Sequence, residues 1–444
     1  MVCLSAVLQS AAHCLHFTSQ PHGPQLMTSH ATMLSAKGST CDAAGSTAAA
    51  SCSANDPPYR ILALYHFVKI PQNELPALKA EVETTLRMAR ARGTILLAPE
   101  GINGTISYPL PASDDGDGDD DGGEDDDHKL DKVLQYLQSH QYFCGLRTRT
   151  SLSNGGHVFH RLKIKQKNEI VTIGCDRPPV TAADCCACSS SSSVDPTEAV
   201  GTYIKPGKDW DDLLLDPDVV VIDTRNRYET EIGTFVNAVD PDTFSFTEFP
   251  DWMRQFAEGI KDERDGKRSS SELVSMPSIA DESSNTHTKQ ERSAHLNRKP
   301  KAVAMFCTGG IRCEKSTSFV LSRKLFPEDV PIYHLEGGIL AYLANVPEEE
   351  SMWRGECFVF DQRVSVKHGL VPSEKYHACH GCRRPVSNFD RTGPDYVHGI
   401  CCKHCRGDLT DRQLERFRER QRQQDLIDRG IVQKPLFHDP KEEP

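Results

Sequence analysis

Cys307 closes the apolar run Ala302-Val303-Ala304-Met305-Phe306 and is followed by Thr308, Gly309, Gly310, Ile311, Arg312 and Cys313. The pattern reads as a strand, a tight loop that needs glycine, and a helix that continues from Glu314 to Leu325 with Phe319, Val320 and Leu325 at helical spacing. A thiol held at a helix N-terminus among inward-turned backbone amides, with Arg312 closing the ring, is favoured as the thiolate. Cys307 is therefore a candidate nucleophile, with Gly309, Gly310 and Arg312 as the loop that activates it. The competing reading is a buried cysteine at a strand end, the commonest state of a free cysteine.

Loop length narrows the chemistry. Cys307 to Arg312 is C-x4-R, one residue shorter than the C-x5-R loop that phosphatases wrap around a phosphate. A smaller ring suits a persulfide sulfur or another one-atom adduct better than a tetrahedral oxyanion, which argues against phosphoester hydrolysis. In loop length and strand-to-helix placement the segment resembles the rhodanese domain, over roughly Val200 to Leu370. Upstream, Val219-Val220-Val221-Ile222 is the near-continuous apolar strand of a parallel sheet buried on both faces, and Asp223-Thr224-Arg225 stands at its carboxyl end, where open α/β sheets place their sites. Asp223, Arg225 and Glu229 match the rhodanese pattern of Asp-x-Arg followed by Glu, and a structural ion pair anchoring the loop is the expected role. Pro331 to Leu335 reads as another buried strand. The Gly337-Gly338 turn after it allows close backbone approach and suits the floor of the pocket. Cys313 is the candidate resolving thiol should Cys307 be oxidised.

A second chemistry lies near the C-terminus. Cys379-His380-Gly381-Cys382 and Cys402-Lys403-His404-Cys405 are two C-x2-C knuckles nineteen residues apart, the spacing of a structural zinc site with four thiolates. Cys379, Cys382, Cys402 and Cys405 are the expected ligands, with Cys401 as a shifted alternative and His377, His380, His398 and His404 as possible substitutes. Such a closed site stabilises the fold and leaves no open position for catalysis.

The elements before these sites suggest a separate domain. Ile61 to Phe67 reads as a strand, Glu74 to Arg92 as an amphipathic helix through Leu75, Leu78, Val82 and Leu86, and Thr94 to Leu97 as a second strand. A glycine turn at Pro99 to Gly104, a return strand Thr105 to Tyr108, a helix near Leu130 to Leu137 and a strand Val158 to Ile164 complete a β-α-β-β-α-β order, that of a ferredoxin-like sandwich. In its last strand Arg161, Lys163, Lys165 and Lys167 alternate with Leu162 and Ile164, so one face is a basic stripe. Arg147 and Arg149 just upstream favour a phosphate-tracking surface over a merely solvated strand face.

Composition fits an intracellular, multidomain enzyme. The 444 residues allow two or three cores. Ten acidic residues between Asp114 and Asp127 account for most of the net charge of −12, so the remainder need not repel a polyanion. Seventeen cysteines in so long a chain, and in clusters, fit catalytic and metal sites better than a secreted disulfide scaffold. No run of eighteen apolar residues predicts a membrane span. The expected organisation is an extension or organellar targeting segment over 1–55 and a ferredoxin-like domain over 56–175 with an acidic insertion at 113–127. A Ser/Cys linker over 176–197 leads to a rhodanese-like α/β domain over 198–371, interrupted by a disordered insertion at 261–299. A zinc-type module over 372–410 and a charged helix and tail over 411–444 complete the chain.

The whole set resembles the tRNA uridine hydroxylase family of rhodanese-containing proteins over about residues 59 to 410. The resemblance rests on L-A-P-E-G-I-N-G-T at Leu97 to Thr105, D-T-R-N-R-Y-E at Asp223 to Glu229, C-T-G-G-I-R-C at Cys307 to Cys313, G-E-C-F-V-F-D-Q-R at Gly355 to Arg363, and the paired knuckles. It implies hydroxylation of wobble uridine to 5-hydroxyuridine, with tRNA as partner, the loop cysteine as catalytic residue, molecular oxygen as co-substrate and an electron donor that the sequence does not name. A sulfurtransferase would need only the Cys307 loop. A non-catalytic binding module would leave the register of Cys307 and Arg312 unexplained.

Overall fold

Leu62 and Leu64 on one face of β1 (Tyr59–Phe67) and a stripe of Leu75, Leu78, Val82 and Leu86 along α1 (Leu75–Met88) share one core and build the first layer pair. The computed structural model describes residues 59–109, 132–153, 158–174, 194–264 and 299–431. The expected 1–55 extension, the acidic insertion, most of the 176–197 linker, most of the 261–299 insertion and the tail beyond 431 lie outside the described residues. Two of those expectations meet described residues at their edges. Val194 packs into a core, and a helix runs to Arg264.

The chain continues through β2 (Arg92–Ala98), β3 (Gly101–Pro109), α2 (Lys132–Ser139), β4 (Arg147–Ser153) and β5 (Leu162–Gln166). The sheet order is β4-β1-β3-β2-β5, antiparallel except for the β2–β5 pair. This corrects the expected strand assignment. The fourth strand of the ferredoxin-like order is Arg147–Ser153, paired with β1, whereas the strand of the basic stripe is an added fifth on the opposite edge. The polar sequence R-T-R-T-S-L-S gives no apolar alternation to read, because its arginines find their partners outside its own sheet.

A second sheet is wholly parallel, with order β6-β10-β9-β7. It is built by β6 (Thr202–Ile204), α3 (Lys208–Leu215), β7 (Val219–Asp223), α4 (Arg227–Thr230), β8 (Gly233–Phe235), α5 (Phe249–Arg264), β9 (Ala302–Phe306), α6 (Ile311–Ser322), β10 (Ile332–Leu335) and α7 (Gly338–Asn345), with β8 standing apart. β9 is buried at every position because both faces are covered. Val303 and Met305 pack with Ile222 and Phe319 on one face, Ala304 and Phe306 with Trp210, Ile339 and Tyr342 on the other. β11 (Trp353–Gly355) pairs with β8, and β12 (Cys357–Phe358) with β13 (Ser365–Val366). β14 (Tyr376–Ala378) and β15 (Pro385–Ser387) carry the first knuckle between them. The last helix, α8 (Asp411–Asp428), starts at a capping box of Thr410 and Gln413.

The described residues belong to one compact unit, and α6 is buried within it. Arg312 to Val320 are all buried, including Glu314, Lys315, Ser316, Thr317 and Ser318. One side of the helix packs on its own sheet. The other meets the first sheet, where Lys315 Nζ, in a side chain 1 % exposed, is 2.6 Å from Glu100 and 2.7 Å from Glu169. Glu100 of the P-E-G-I-N-G segment therefore anchors the helix that begins at the Cys307 loop.

Candidate active site

Because the strands of the second sheet run parallel, Asp223, Cys307 and Glu336 emerge at one end of it. Cys307 leaves β9 with its side chain 1 % exposed, and the Gly310 N–H donates to its Sγ at 3.1 Å. Gly310 has φ +102°, and a Cβ there would lie 2.8 Å from the Tyr65 hydroxyl, so only glycine closes this loop beneath the first sheet. Gly309 has nothing within 4 Å of its Cβ position among the described residues and marks the open side. Burial opposes ionisation of Cys307, but hydrogen bonds from the Cys313 side chain, the positive charge of Arg312 and backbone N–H donors outweigh it and bring the thiol down to about 6. Cys313 is the opposite case. Burial first, and then the adjacent Cys307, push it well above the usual thiol range, and its Sγ sits 3.8 Å from Thr224 Oγ1.

Arg312 does not simply close the ring over Cys307. Its two terminal nitrogens each reach Glu229 at 2.8 Å, and its charge acts on the thiol from that fixed position. Glu229 in turn belongs to a buried chain. Arg225, fully buried, donates to Asp223 at 2.9 and 2.7 Å, to the Glu229 carbonyl at 3.2 Å and to the Gly233 carbonyl at 2.6 Å. The Asp223–Arg225 pair thus holds the α4 backbone, and α4 holds Arg312. All three side-chain nitrogens of Arg225 and both terminal nitrogens of Arg312 have partners, the condition under which a buried ion pair is tolerated.

Beneath the loop the Gly337-Gly338 turn packs tightly. The Ile339 and Leu340 N–H groups donate to the Cys307 and Thr308 carbonyls at 2.9 and 3.0 Å. A Cβ on Gly338 would meet the Cys307 carbonyl at 2.5 Å, so the turn is a floor and leaves no room for a base on that side. Arg149 Nη2 donates to the Gly337 carbonyl at 3.0 Å. Arg147 lies 3.2 Å from Glu314 and 4.4 Å over the Tyr203 ring. Both arginines therefore face the Cys307 loop and its helix, on the sheet edge opposite the stripe. Arg161, Lys165 and Lys167 are exposed on or beside β5, and Lys163 is partly so.

Sequence reasoning missed Tyr65, whose hydroxyl donates to Glu314 at 2.8 Å, and Lys315 with its two carboxylates. No local pattern encodes such pairs, because their partners lie 146 to 249 residues apart.

The four knuckle cysteines converge, with all four Sγ atoms within 4.8 Å of one another. Adjacent sulfurs are 3.7 Å (Cys382–Cys402) and 3.9 Å (Cys379–Cys405 and Cys402–Cys405) apart. A tetrahedron of thiolates at about 2.3 Å from zinc puts sulfurs about 3.8 Å apart, so the set fits a metal and is too wide for a disulfide. Cys401 stands outside the set.

A model of the UPF0176 acylphosphatase like domain matches residues 59–116. The tRNA uridine(34) hydroxylase of Rhizobium leguminosarum bv. trifolii is 40% identical over 366 residues, 82% of this chain and 93% of that protein. The protein of the same name from Gluconobacter oxydans is 40% identical over 369 residues, covering 83% and 94%, and that of Acaryochloris marina 41% over 365, covering 82% and 92%. Identity at this level, over four fifths of this chain and nearly the full length of those proteins, places the chain in the tRNA uridine(34) hydroxylase family.

Proposed function

We propose that the chain hydroxylates uridine 34 of tRNA at carbon 5 and that Cys307 is its nucleophile. The observation that carries this reading is the Cys307 thiol lowered to about 6 beside the open Gly309 position. Carbon 6 of uracil accepts nucleophiles, and addition of the thiolate there moves an electron pair into an enolate whose reactive carbon is carbon 5. That carbon then bonds to the outer oxygen of a peroxide-level donor, formed from molecular oxygen and two electrons of an external reductant, as the O–O bond breaks and the other oxygen leaves as water. Loss of the carbon 5 proton and departure of the Cys307 thiolate restore the double bond and leave the hydroxyl. The Gly310 N–H and Arg312 stabilise the thiolate as nucleophile and again as leaving group.

Arg161, Lys163, Lys165 and Lys167 contact tRNA phosphates in this reading. Cys379, Cys382, Cys402 and Cys405 hold a structural zinc ion, which when bound ties the knuckles together and has no open position for chemistry. Among the described residues no helix is long and apolar enough to cross a membrane.

Nucleoside mass spectrometry of tRNA from cells carrying Cys307→Ser in place of the wild-type chain tests the assignment. Loss of 5-hydroxyuridine with tRNA affinity retained is the expected result. Product formation by the variant overturns the assignment of the nucleophile. Wild-type protein that transfers sulfur from thiosulfate to cyanide and leaves tRNA unchanged replaces the hydroxylase with a sulfurtransferase.

A further inference from the structure

Phe360 is a large apolar ring left 60% exposed beside the catalytic loop. Its centroid is 5.7 Å from the Arg312 guanidinium, which Glu229 fixes in place. Behind it, Phe358 is buried and meets Phe360 edge-on at 4.9 Å, and Tyr228 meets Phe358 edge-on at 5.5 Å. The loop that carries the ring is pinned as well. Asp361 takes the Arg363 fork at 3.0 and 2.6 Å, the Val359 N–H reaches the Val364 carbonyl at 2.9 Å, and Arg363 Nη1 reaches Ser151 at 3.2 Å. An aromatic face held this firmly toward solvent is a preformed stacking surface, with little side-chain freedom left to lose on binding.

The same loop touches the start of the basic stripe. Gln362 Nε2 is 3.3 Å from His160 Nε2, and His160 directly precedes Arg161. The stripe does not end with its own strand. Lys163, already partly desolvated, also feels the positive charges of Arg161, Lys165 and Arg383, and Arg383 is an exposed residue directly after the knuckle ligand Cys382. A continuous path therefore leads from the Cys307 loop over Phe360, across the Gln362–His160 contact, along β5 and onto the cysteine module. An aromatic platform followed by a line of cations is what recognises unpaired nucleotides, the base by its face and the backbone by its phosphates.

We propose that Phe360 stacks a nucleobase of the tRNA anticodon loop at the entrance to Cys307, and that the RNA backbone runs from there along Arg161, Lys163 and Lys165 to Arg383. This rests on the reading of the chain as a tRNA hydroxylase and gives the cysteine module a part in RNA binding besides holding the fold.

The test measures binding and turnover of a synthetic anticodon stem-loop carrying uridine 34 by the full chain and its Phe360→Leu, Phe360→Trp and Arg383→Gln variants. Phe360→Leu is expected to bind about tenfold more weakly, with the slope of log affinity against log salt unchanged, because stacking releases no counterions. Phe360→Trp keeps the affinity. Arg383→Gln flattens the salt slope by about 0.7. The pH midpoint of the Cys307 thiolate, read by its ultraviolet absorbance, stays where it is in Phe360→Leu. If that midpoint moves with the affinity, Phe360 acts only through Arg312 and the stacking assignment is wrong. If wild type and Phe360→Leu bind and convert the stem-loop equally, this inference fails and the hydroxylase reading stands. If the wild type neither binds nor converts it, both fail.

Discussion

Glu229 holds both terminal nitrogens of Arg312 at 2.8 Å, across 83 residues of sequence and with its own side chain fully buried. The pair sets two properties at once. It neutralises a guanidinium that would otherwise be buried alone and, as an opposite charge held against Arg312, offsets part of the positive field that lowers the Cys307 thiol. Glu229→Gln should therefore destabilise the fold by about 3 kcal/mol, the cost of breaking a buried pair on one side. The same substitution should lower the Cys307 pKa below its wild-type value. Denaturant titration checks the first effect and thiolate absorbance the second. A raised Cys307 pKa would mean that Arg312 leaves the loop once Glu229 lets go.

The Cys307 thiolate should appear with a midpoint near pH 6, read as the difference in ultraviolet absorbance between the wild type and Cys307→Ser so that the other cysteines cancel. Folding lowers this group's pKa from the ordinary thiol value of 9.0, so ionisation and folding favour each other. The stabilisation is fully present above pH 9 and is lost as the pH falls through about 6. A midpoint in the ordinary thiol range would remove the basis for Cys307 as nucleophile.

Both chemically suggestive cysteine groups were legible in the sequence because loop and knuckle geometry are local. A strand, two glycines and a helix start define the Cys307 loop within a few residues, and each knuckle needs only two intervening positions. Helix α1 was legible for the same reason, since its buried stripe repeats within one element. Strand β4 was not, because Arg147 and Arg149 take their partners from the second sheet, and a strand whose side chains reach across an interface loses the alternation that marks one. Helix α6 hides its role in the same way. Glu314, Lys315 and Thr317 look like a solvent face by composition, yet they lie between two sheets and are matched by Tyr65, Glu100, Glu169 and the Gly201 backbone.

The two edges of the first sheet should answer differently to charge removal. Lys165→Gln takes an exposed cation from the stripe and should weaken tRNA binding while reducing the salt slope by about 0.7 to 0.9. Arg147→Gln should leave the slope unchanged and lower stability, because Arg147 is spent on Glu314 at 3.2 Å and on the Tyr203 ring. Burial already raises the pKa of Glu314, and losing Arg147 removes a charge that opposes that rise. Salt-dependent binding isotherms together with thermal melts separate the two roles, and a reduced slope for Arg147→Gln would return that residue to the RNA surface.

The cysteine module should depend on its metal. With four sulfurs 3.7 to 3.9 Å apart along the measured edges, the purified chain is expected to carry about one zinc ion, and a strong chelator should loosen the region because metal binding and local folding are coupled. α8 should loosen with it. Arg420 of that helix donates to the carbonyls of Gly399 and His380, both within the module. Cys402→Ser should lose the metal and the order of the helix, whereas Cys401→Ser should keep both, since Cys401 is buried but lies outside the set. Metal analysis and hydrogen exchange on the two variants provide the check. The paired comparison matters because the variants alter neighbouring residues by the same atom, so a shared loss would show that burial alone holds the module, and a loss confined to Cys402→Ser would show that the metal does.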